Sequence, residues 1–97
     1  MISEEKLKVR LYNLYNLLLD YCQHEILRIQ MPKTNVEIKM YSKLMTLYYT
    51  LPEHTYVGCV RPSYSSIRVS MLYDILKKNK ELDKVIESID DIYLQYL

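Results

Sequence analysis

The sequence predicts an all-α fold, a small helical bundle of three to four helices in a single domain over residues 1–97. Two observations favour this class. Apolar residues recur at steps of three and four over three long segments. The single glycine and the three prolines all fall within residues 32–62. The three segments outside residues 30–34 and 51–63 therefore contain neither of the two residues that interrupt helices most strongly.

The first segment predicts a helix over residues 4–29. Its apolar stripe consists of Leu7, Leu11, Leu14, Leu18, Cys22, Ile26 and Ile29. Ser3 can cap this helix, and the two glutamates that follow lie in the first turn, where the helix dipole favours negative charge. Pro32 disfavours helical geometry in the residue before it, so we expect the helix to end by that point.

The second segment predicts a helix over residues 35–50. Thr34 and Glu37 have the spacing of a capping box, in which hydroxyl and carboxylate bond to each other's backbone N–H groups. The apolar face of this helix consists of Val36, Met40, Leu44, Leu47 and Leu51. A strand is the competing interpretation, because every second residue from Val36 to Met40 is apolar. The capping box and the length of the helical pattern favour the helix.

Residues 52–62 predict an ordered loop with room for a short strand or hairpin. Connections of this length in small domains are more often functional than accidental. We therefore expect the loop and the start of the next helix to provide a partner surface. Its residues are Tyr56, Arg61, Tyr64 and Arg68.

The C-terminal segment predicts helices over 63–78 and 80–97, or one continuous helix. A heptad pattern in this segment predicts an interface between two copies of the chain, formed by Leu72, Ile75, Asn79, Leu82, Ile86, Ile89, Tyr93 and Tyr96. Asn79 either sits at a buried position of this seam or caps the second helix of an α-hairpin. Further apolar residues at Leu76, Val85 and Ile92 widen the stripe, which suits a bundle core.

No motif in the sequence predicts catalysis, a cofactor or a metal site. One glycine cannot build a phosphate-binding loop, and the serines lack the context of a nucleophile elbow. Asp90 and Asp91 are adjacent on a helix instead of facing each other across a cleft. Cys22 and His24 face different sides of the predicted helix, which argues against a zinc site. We therefore expect a protein that is not an enzyme.

The charges are balanced overall but uneven along the chain. Lys and Arg number 13 against 12 Asp and Glu, yet residues 33–84 hold nine basic and five acidic residues. The basic stretch 61–84 gives an alternative function, a small DNA- or RNA-binding regulator. A sequence pI near 7.7 lacks the excess of base that is typical of nucleic-acid domains, so this is the second choice.

The eleven tyrosines favour a protein interface, since tyrosine offers a large contact area at low entropic cost. We therefore expect a non-enzymatic protein–protein interaction module, a small homodimeric adaptor, inhibitor or accessory protein with an unidentified protein partner. No apolar stretch is long enough to cross a membrane, and we expect a cytoplasmic protein. The absence of alanine is typical of an A+T-rich genome, such as that of a virus or mobile element.

Overall fold

The fold is mixed α/β, so the predicted all-α bundle is wrong. The computed structural model describes residues 3–22, 26–41, 44–53, 55–60 and 65–97. Within these residues the elements are helix α1 (Glu4–Leu18), a 3₁₀ turn (Leu19–Tyr21), strands β1 (Leu27–Gln30), β2 (Val36–Tyr41), β3 (Leu44–Thr50) and β4 (Thr55–Val60), and helices α2 (Ser65–Lys78) and α3 (Leu82–Tyr96).

The four described strands form one antiparallel sheet in the order β1-β2-β3-β4. Each strand pairs with the next one along the chain, and Ile38 at the centre of β2 lies between Ile29 of β1 and Leu47 of β3. Side chains alternate between the two faces of a sheet. One face carries the apolar residues of the core: Val36, Ile38, Met40, Met45, Leu47 and Tyr49. These join the buried residues of the helices in one cluster.

The segment predicted as a helix over 35–50 is the β2–β3 hairpin. Its alternating pattern decides the structure, because burial of every second residue covers one face of β2 completely. The apparent capping residue Thr34 serves a turn: its hydroxyl donates to the Met31 carbonyl at 3.0 Å and accepts from the Val36 N–H at 3.2 Å. A threonine that bonds to nearby backbone in this way suits a turn as well as a helix cap.

The helix predicted over 4–29 is too long, since α1 ends at Leu18. The first half follows the prediction, and the Ser3 side chain accepts from the Lys6 N–H at 3.1 Å as an N-cap. The last residue of the predicted stripe, Ile29, instead lies in β1 opposite Ile38. The stripe keeps its helical spacing after Leu18, but pairing with β2 gives this segment cross-strand contacts that a local helical pattern does not reveal.

The segment 52–62 contains the edge strand β4, which pairs with β3 from Thr55↔Thr50 to Val60↔Met45. Helix α2 follows and packs against β4, and α1 lies in contact with both α2 and α3. Polar contacts join the helices to one another: Ser70 Oγ donates to Glu4 Oε2 at 2.8 Å, and Arg10 of α1 is paired with Asp90 of α3. The helices therefore form a layer that covers one face of the sheet.

Two separate helices occupy the C-terminal segment, and a Schellman motif joins them. The Glu81 N–H bonds to the Leu76 carbonyl at 2.9 Å, and the Lys80 N–H to the Lys77 carbonyl at 3.2 Å. Lys80 takes the left-handed conformation, with φ 57°, that this motif requires at its turning residue. Asn79 belongs to the end of α2, because its side-chain amide donates to the Ile75 carbonyl at 2.8 Å. It does not cap α3.

Lys80→Gly should stabilise the protein. Glycine adopts a positive φ without the steric cost that a Cβ imposes, so we expect the free energy of unfolding to rise by about 0.5–1 kcal/mol. Urea denaturation followed by circular dichroism measures it. Lys78→Gly is the matched control, because the same change at the last helical residue of α2 should lower the free energy of unfolding, by about 0.5–1 kcal/mol at most. Equal effects of the two changes would contradict the Schellman assignment.

Candidate interaction surface

The side of the sheet away from the helices is polar and accessible, and we call it the open sheet face. It surrounds a shallow depression of about 320 Å³. Its residues are Arg28, Gln30, Glu37, Lys39, Tyr48, Thr50 and Thr55. They occupy the alternate positions of the strands whose other residues form the core, so the same period-two pattern creates both surfaces.

Register places these side chains in rows across the sheet. Gln30 lies opposite Glu37, and Glu37 lies opposite Tyr48, so an amide, a carboxylate and a phenol stand side by side on three strands. Arg28 lies opposite Lys39, and these two cations would repel each other without an anion nearby. The Glu37 carboxylate supplies it, with its Oε1 3.6 Å from Arg28 Nε.

The open sheet face can make hydrogen bonds and exposed ion pairs. The Arg28 side chain is 63% exposed and the Glu37 side chain 36%, so their pair is solvated and contributes little to stability. Their charges are therefore available to a partner at small cost. Hydroxyls of Tyr48, Thr50 and Thr55 add groups that both donate and accept.

Directly beneath this surface, Tyr49 anchors the sheet to the helices. Its ring is fully buried, and its hydroxyl donates to the Glu81 carboxylate in the α2–α3 turn. Asn35 Nδ2 also donates to Glu81, at 3.2 Å from Oε1. Burial raises the pKa of Tyr49 to about 12, and the hydrogen bond and negative charge of Glu81 add to the rise. The Tyr49–Glu81 contact therefore positions the sheet against the helical layer.

A second accessible surface lies where two turns meet, and we call it the basic end. Its exposed lysines are Lys33, Lys77, Lys78, Lys80 and Lys84. The Asn35–Glu81 hydrogen bond joins the β1–β2 turn to the α2–α3 turn, and Ser88 Oγ donates to the Pro32 carbonyl at 2.7 Å. The fold thus adds Lys33 to four lysines of the predicted basic stretch 61–84.

The residues predicted as a coiled-coil interface lie mainly inside the single chain. Leu72, Leu82, Ile86 and Ile89 are buried in its core, while Ile75, Tyr93 and Tyr96 pack against that core and are partly buried. Asn79 is exposed at the end of α2. The turn at Asn79–Glu81 interrupts the heptad pattern, and the seam packs against α1 and the sheet. Homodimerisation stays a prediction, and these buried side chains are not accessible to a second copy.

The partner surface predicted around the 52–62 loop falls largely on parts that the structure does not describe. Arg61 and Tyr64 lie outside the described residues. The backbone of Tyr56 lies in β4 opposite Tyr49, and that of Arg68 in α2, but their side chains also lie outside the description.

Sequence reasoning missed the open sheet face because it assigned β2 and β3 to a helix. The signal was present in the alternation of Glu37 and Lys39 with Val36, Ile38 and Met40. As a strand, that pattern places two opposite charges on a solvent face directly behind a buried apolar face.

Other candidate sites are weaker. Among the described residues no group of three potential metal ligands occurs, and His24 and His54 lie outside that description. The Cys22 thiol is buried and donates to the Met40 carbonyl at 2.9 Å. A small cavity of about 150 Å³ between α1 and α3 is occupied at its rim by the Arg10–Asp90 pair. None of the described helices has the length and apolar character needed to cross a membrane.

Tyr49→Phe should lower the free energy of unfolding by about 1–2 kcal/mol at neutral pH, because Glu81 loses a buried donor. The folded-state pKa of Tyr49 lies above its ordinary value of 10.0, at about 12. Its contribution is therefore complete below pH 10 and is lost as the pH rises toward 12. The stability difference between wild type and variant should shrink over that range in urea titrations.

Tyr48→Phe is the matched control, since it removes a neighbouring hydroxyl on the open sheet face. We expect a change within about 0.5 kcal/mol. A Tyr49→Phe variant as stable as wild type would contradict the anchoring role.

Comparison with known proteins leaves the function to be argued from these surfaces. No protein-family model matches the chain, and searches of curated proteins and solved structures found no significant match.

Proposed function

We propose that this protein is a non-enzymatic interaction module that binds a polypeptide partner through the open sheet face. The observation that carries the proposal is a sheet whose apolar face is covered by helices while its other face presents charged and hydroxyl groups around a depression of about 320 Å³. The covered face supplies rigidity, and a rigid surface binds with a smaller entropic cost than a loop.

The side chains of this face favour binding over catalysis. Among the described residues that line the depression, the carboxylate is that of Glu37, which is paired with Arg28, and neither an imidazole nor a thiol occurs. The hydroxyls of Tyr48, Thr50 and Thr55 have no general base among those residues. Such a set can orient a ligand through hydrogen bonds but offers no activated nucleophile.

The mixed charge favours a polypeptide over a nucleic acid at this face. Arg28 and Lys39 are positive, but the Glu37 carboxylate is paired with Arg28 and lies opposite Tyr48. A phosphate backbone would meet that carboxylate unfavourably, whereas a peptide has both donors and acceptors on its main chain and side chains of either charge. Threonine hydroxyls on β3 and β4 extend the same hydrogen-bonding surface.

We also propose that the protein acts inside the cell, in the cytoplasm. Support comes from the cysteine content, since two cysteines in 97 residues cannot build the disulfide framework that stabilises small secreted domains.

Selection from a library of random peptides displayed on phage tests the binding proposal. We expect enrichment of peptides that bind wild type, with fluorescence anisotropy of a labelled selected peptide as the measure. Lys39→Glu should weaken that binding about tenfold, since it reverses a charge at the centre of the face. Tyr48→Ala should weaken it as well.

Lys84→Glu is the matched control, because it makes the same charge change at an exposed position of α3. It should leave peptide affinity unchanged. Failure to enrich any peptide over an unrelated protein, or affinities insensitive to Lys39→Glu and Tyr48→Ala, would contradict the proposal.

The basic end supports a second candidate function, binding of DNA or RNA. Its five exposed lysines outnumber Glu81 and Asp83, so cations predominate there. Lysines gathered on turns can contact phosphates without reading base sequence. This candidate is the DNA- or RNA-binding regulator that the basic stretch 61–84 predicts as an alternative. Its proposed binding site now lies where the β1–β2 turn meets the α2–α3 turn.

Titration of labelled duplex DNA at several salt concentrations tests this second candidate. Phosphate contacts release counterions, so we expect the affinity to fall steeply as salt rises. Lys33→Glu combined with Lys80→Glu should weaken binding about tenfold or more and flatten the salt dependence. Lys39→Glu is the control that should change little. Absence of binding at low salt would exclude this function for the basic end.

A further inference from the structure

Strand β1 has one long edge without a partner strand among the described residues. It is the first strand in the sheet order, and only β2 pairs with it. Arg28 and Gln30 are exposed, whereas Leu27 and Ile29 are partly buried at the margin of the core. Ile26, just before the strand, is an exposed apolar residue at 56%. Exposed side chains therefore flank the edge of β1 with which no described strand pairs.

The hydrogen-bond alternation of β1 shows which backbone groups face outward. The Met31 N–H bonds to the Val36 carbonyl at 2.9 Å, so Met31 and Val36 form a bonded pair. In an antiparallel ladder bonded and non-bonded pairs alternate. Ile29 therefore bonds to Ile38, and the N–H and C=O groups of Arg28 and Gln30 point away from β2 toward the open edge.

We propose that two copies of the chain pair antiparallel along β1, so that their sheets join into one sheet of eight strands. In the register we assign, Arg28 of each copy lies opposite Gln30 of the other, and the two Ile29 residues meet at the two-fold axis. The outward N–H and C=O groups of Arg28 and Gln30 then form two bonded pairs, one on each side of the axis.

Compared with the two registers reached by a shift of two residues, this register pairs the outward backbone groups of Arg28 and Gln30 and also avoids placing like charges opposite each other. The two sheets present the same face only if residues of equal parity lie opposite each other. Moving one copy by two residues in one direction places Arg28 opposite the second Arg28, where like charges repel. Moving it in the other direction places Arg28 opposite Pro32, which has no N–H to donate.

The side chains in the assigned register are self-complementary. Arg28 donates toward an amide carbonyl on Gln30 of the second copy, while the Gln30 Nε2 group already donates to the Thr34 carbonyl of its own turn at 3.0 Å. That hydrogen bond orients the amide so that Oε1 remains as the acceptor. On the helical side, the paired Ile29 side chains cover each other's partly exposed surfaces.

A strand of four residues buries a small interface, so we expect a reversible dimer whose population depends on concentration. A second copy fits this edge better than an unrelated strand because the match between Arg28, Ile29 and Gln30 repeats under two-fold symmetry. The proposal does not depend on peptide binding, since it uses the edge of β1 and not the centre of the open sheet face.

Sedimentation velocity from micromolar to millimolar concentration tests the dimer, with a species of twice the 11.7 kDa chain mass expected at the upper end. Gln30→Arg places two arginines opposite each other at both ends of the interface and should weaken dimerisation about tenfold. The double variant Arg28→Glu/Gln30→Arg restores opposite charges and should recover wild-type dimerisation. Thr50→Arg adds the same charge away from the edge and is the matched control.

Cross-linking checks the register independently. The two Ile29 residues would form a non-bonded pair with Cα atoms about 4.5 Å apart, within the range of a disulfide. Ile29→Cys in a Cys59→Ser background should therefore yield a cross-linked dimer on mild oxidation, and Gln30→Cys in the same background should not. Thermal unfolding of each variant establishes that the chain is folded.

A chain that remains monomeric at millimolar concentration would overturn the proposal. So would a dimer that tolerates Gln30→Arg and does not cross-link through Ile29→Cys, because it would use another surface. Peptide binding without dimerisation, or the reverse, separates the failure of this inference from that of the proposed function.

Discussion

The pairing of β2 with β3 is the interaction on which the rest of the structure depends. These central strands supply the buried residues Ile38, Met45 and Leu47, against which the helices pack. Their alternate positions supply Glu37, Lys39 and Tyr48 of the open sheet face. Because side chains have a period of exactly two residues in a strand, a shift of one residue would bury the charges and expose the core. Core and candidate site are thus two consequences of one register.

The same pairing determines how the turns are placed. Tyr49 of β3 donates a hydrogen bond to Glu81, and Asn35, which directly precedes β2, donates to the same carboxylate. The α2–α3 turn is therefore held against the sheet by β3 and by the start of β2. The hydrogen bond from the buried Tyr49 hydroxyl is costly to break, because Glu81 is then left with the exposed hydrogen bonds from Asn35. This contact brings Lys33 toward the lysines of the C-terminal hairpin and so assembles the basic end from segments distant in sequence.

Helix positions could be predicted where local signals acted alone. Ser3 caps α1 as its side chain implied, and α2 and α3 lie within the segments 63–78 and 80–97. The sheet could not be predicted in this way because its stability comes from partners elsewhere in the chain. Thr34 and Glu37 have the spacing of a capping box, but the hydroxyl closes a turn and the carboxylate faces Arg28 and Tyr48. Over a segment as short as 35–50, the helical and the alternating apolar patterns overlap. Only pairing with strands elsewhere in the chain distinguishes a strand from a helix there.

The open sheet face and the β1 edge are related through the geometry of the sheet. Arg28 belongs to both: its side chain pairs with Glu37 on the face, while its backbone groups point to the edge. Joining two copies at β1 would place their open faces side by side in one continuous surface, with the Arg28–Glu37 ion pair of each copy next to the two-fold axis. A partner that spans this axis would contact both copies at once, and the second contact would form at a high effective concentration. A small domain with a shallow site can in this way bind an extended polypeptide more tightly than one copy alone allows.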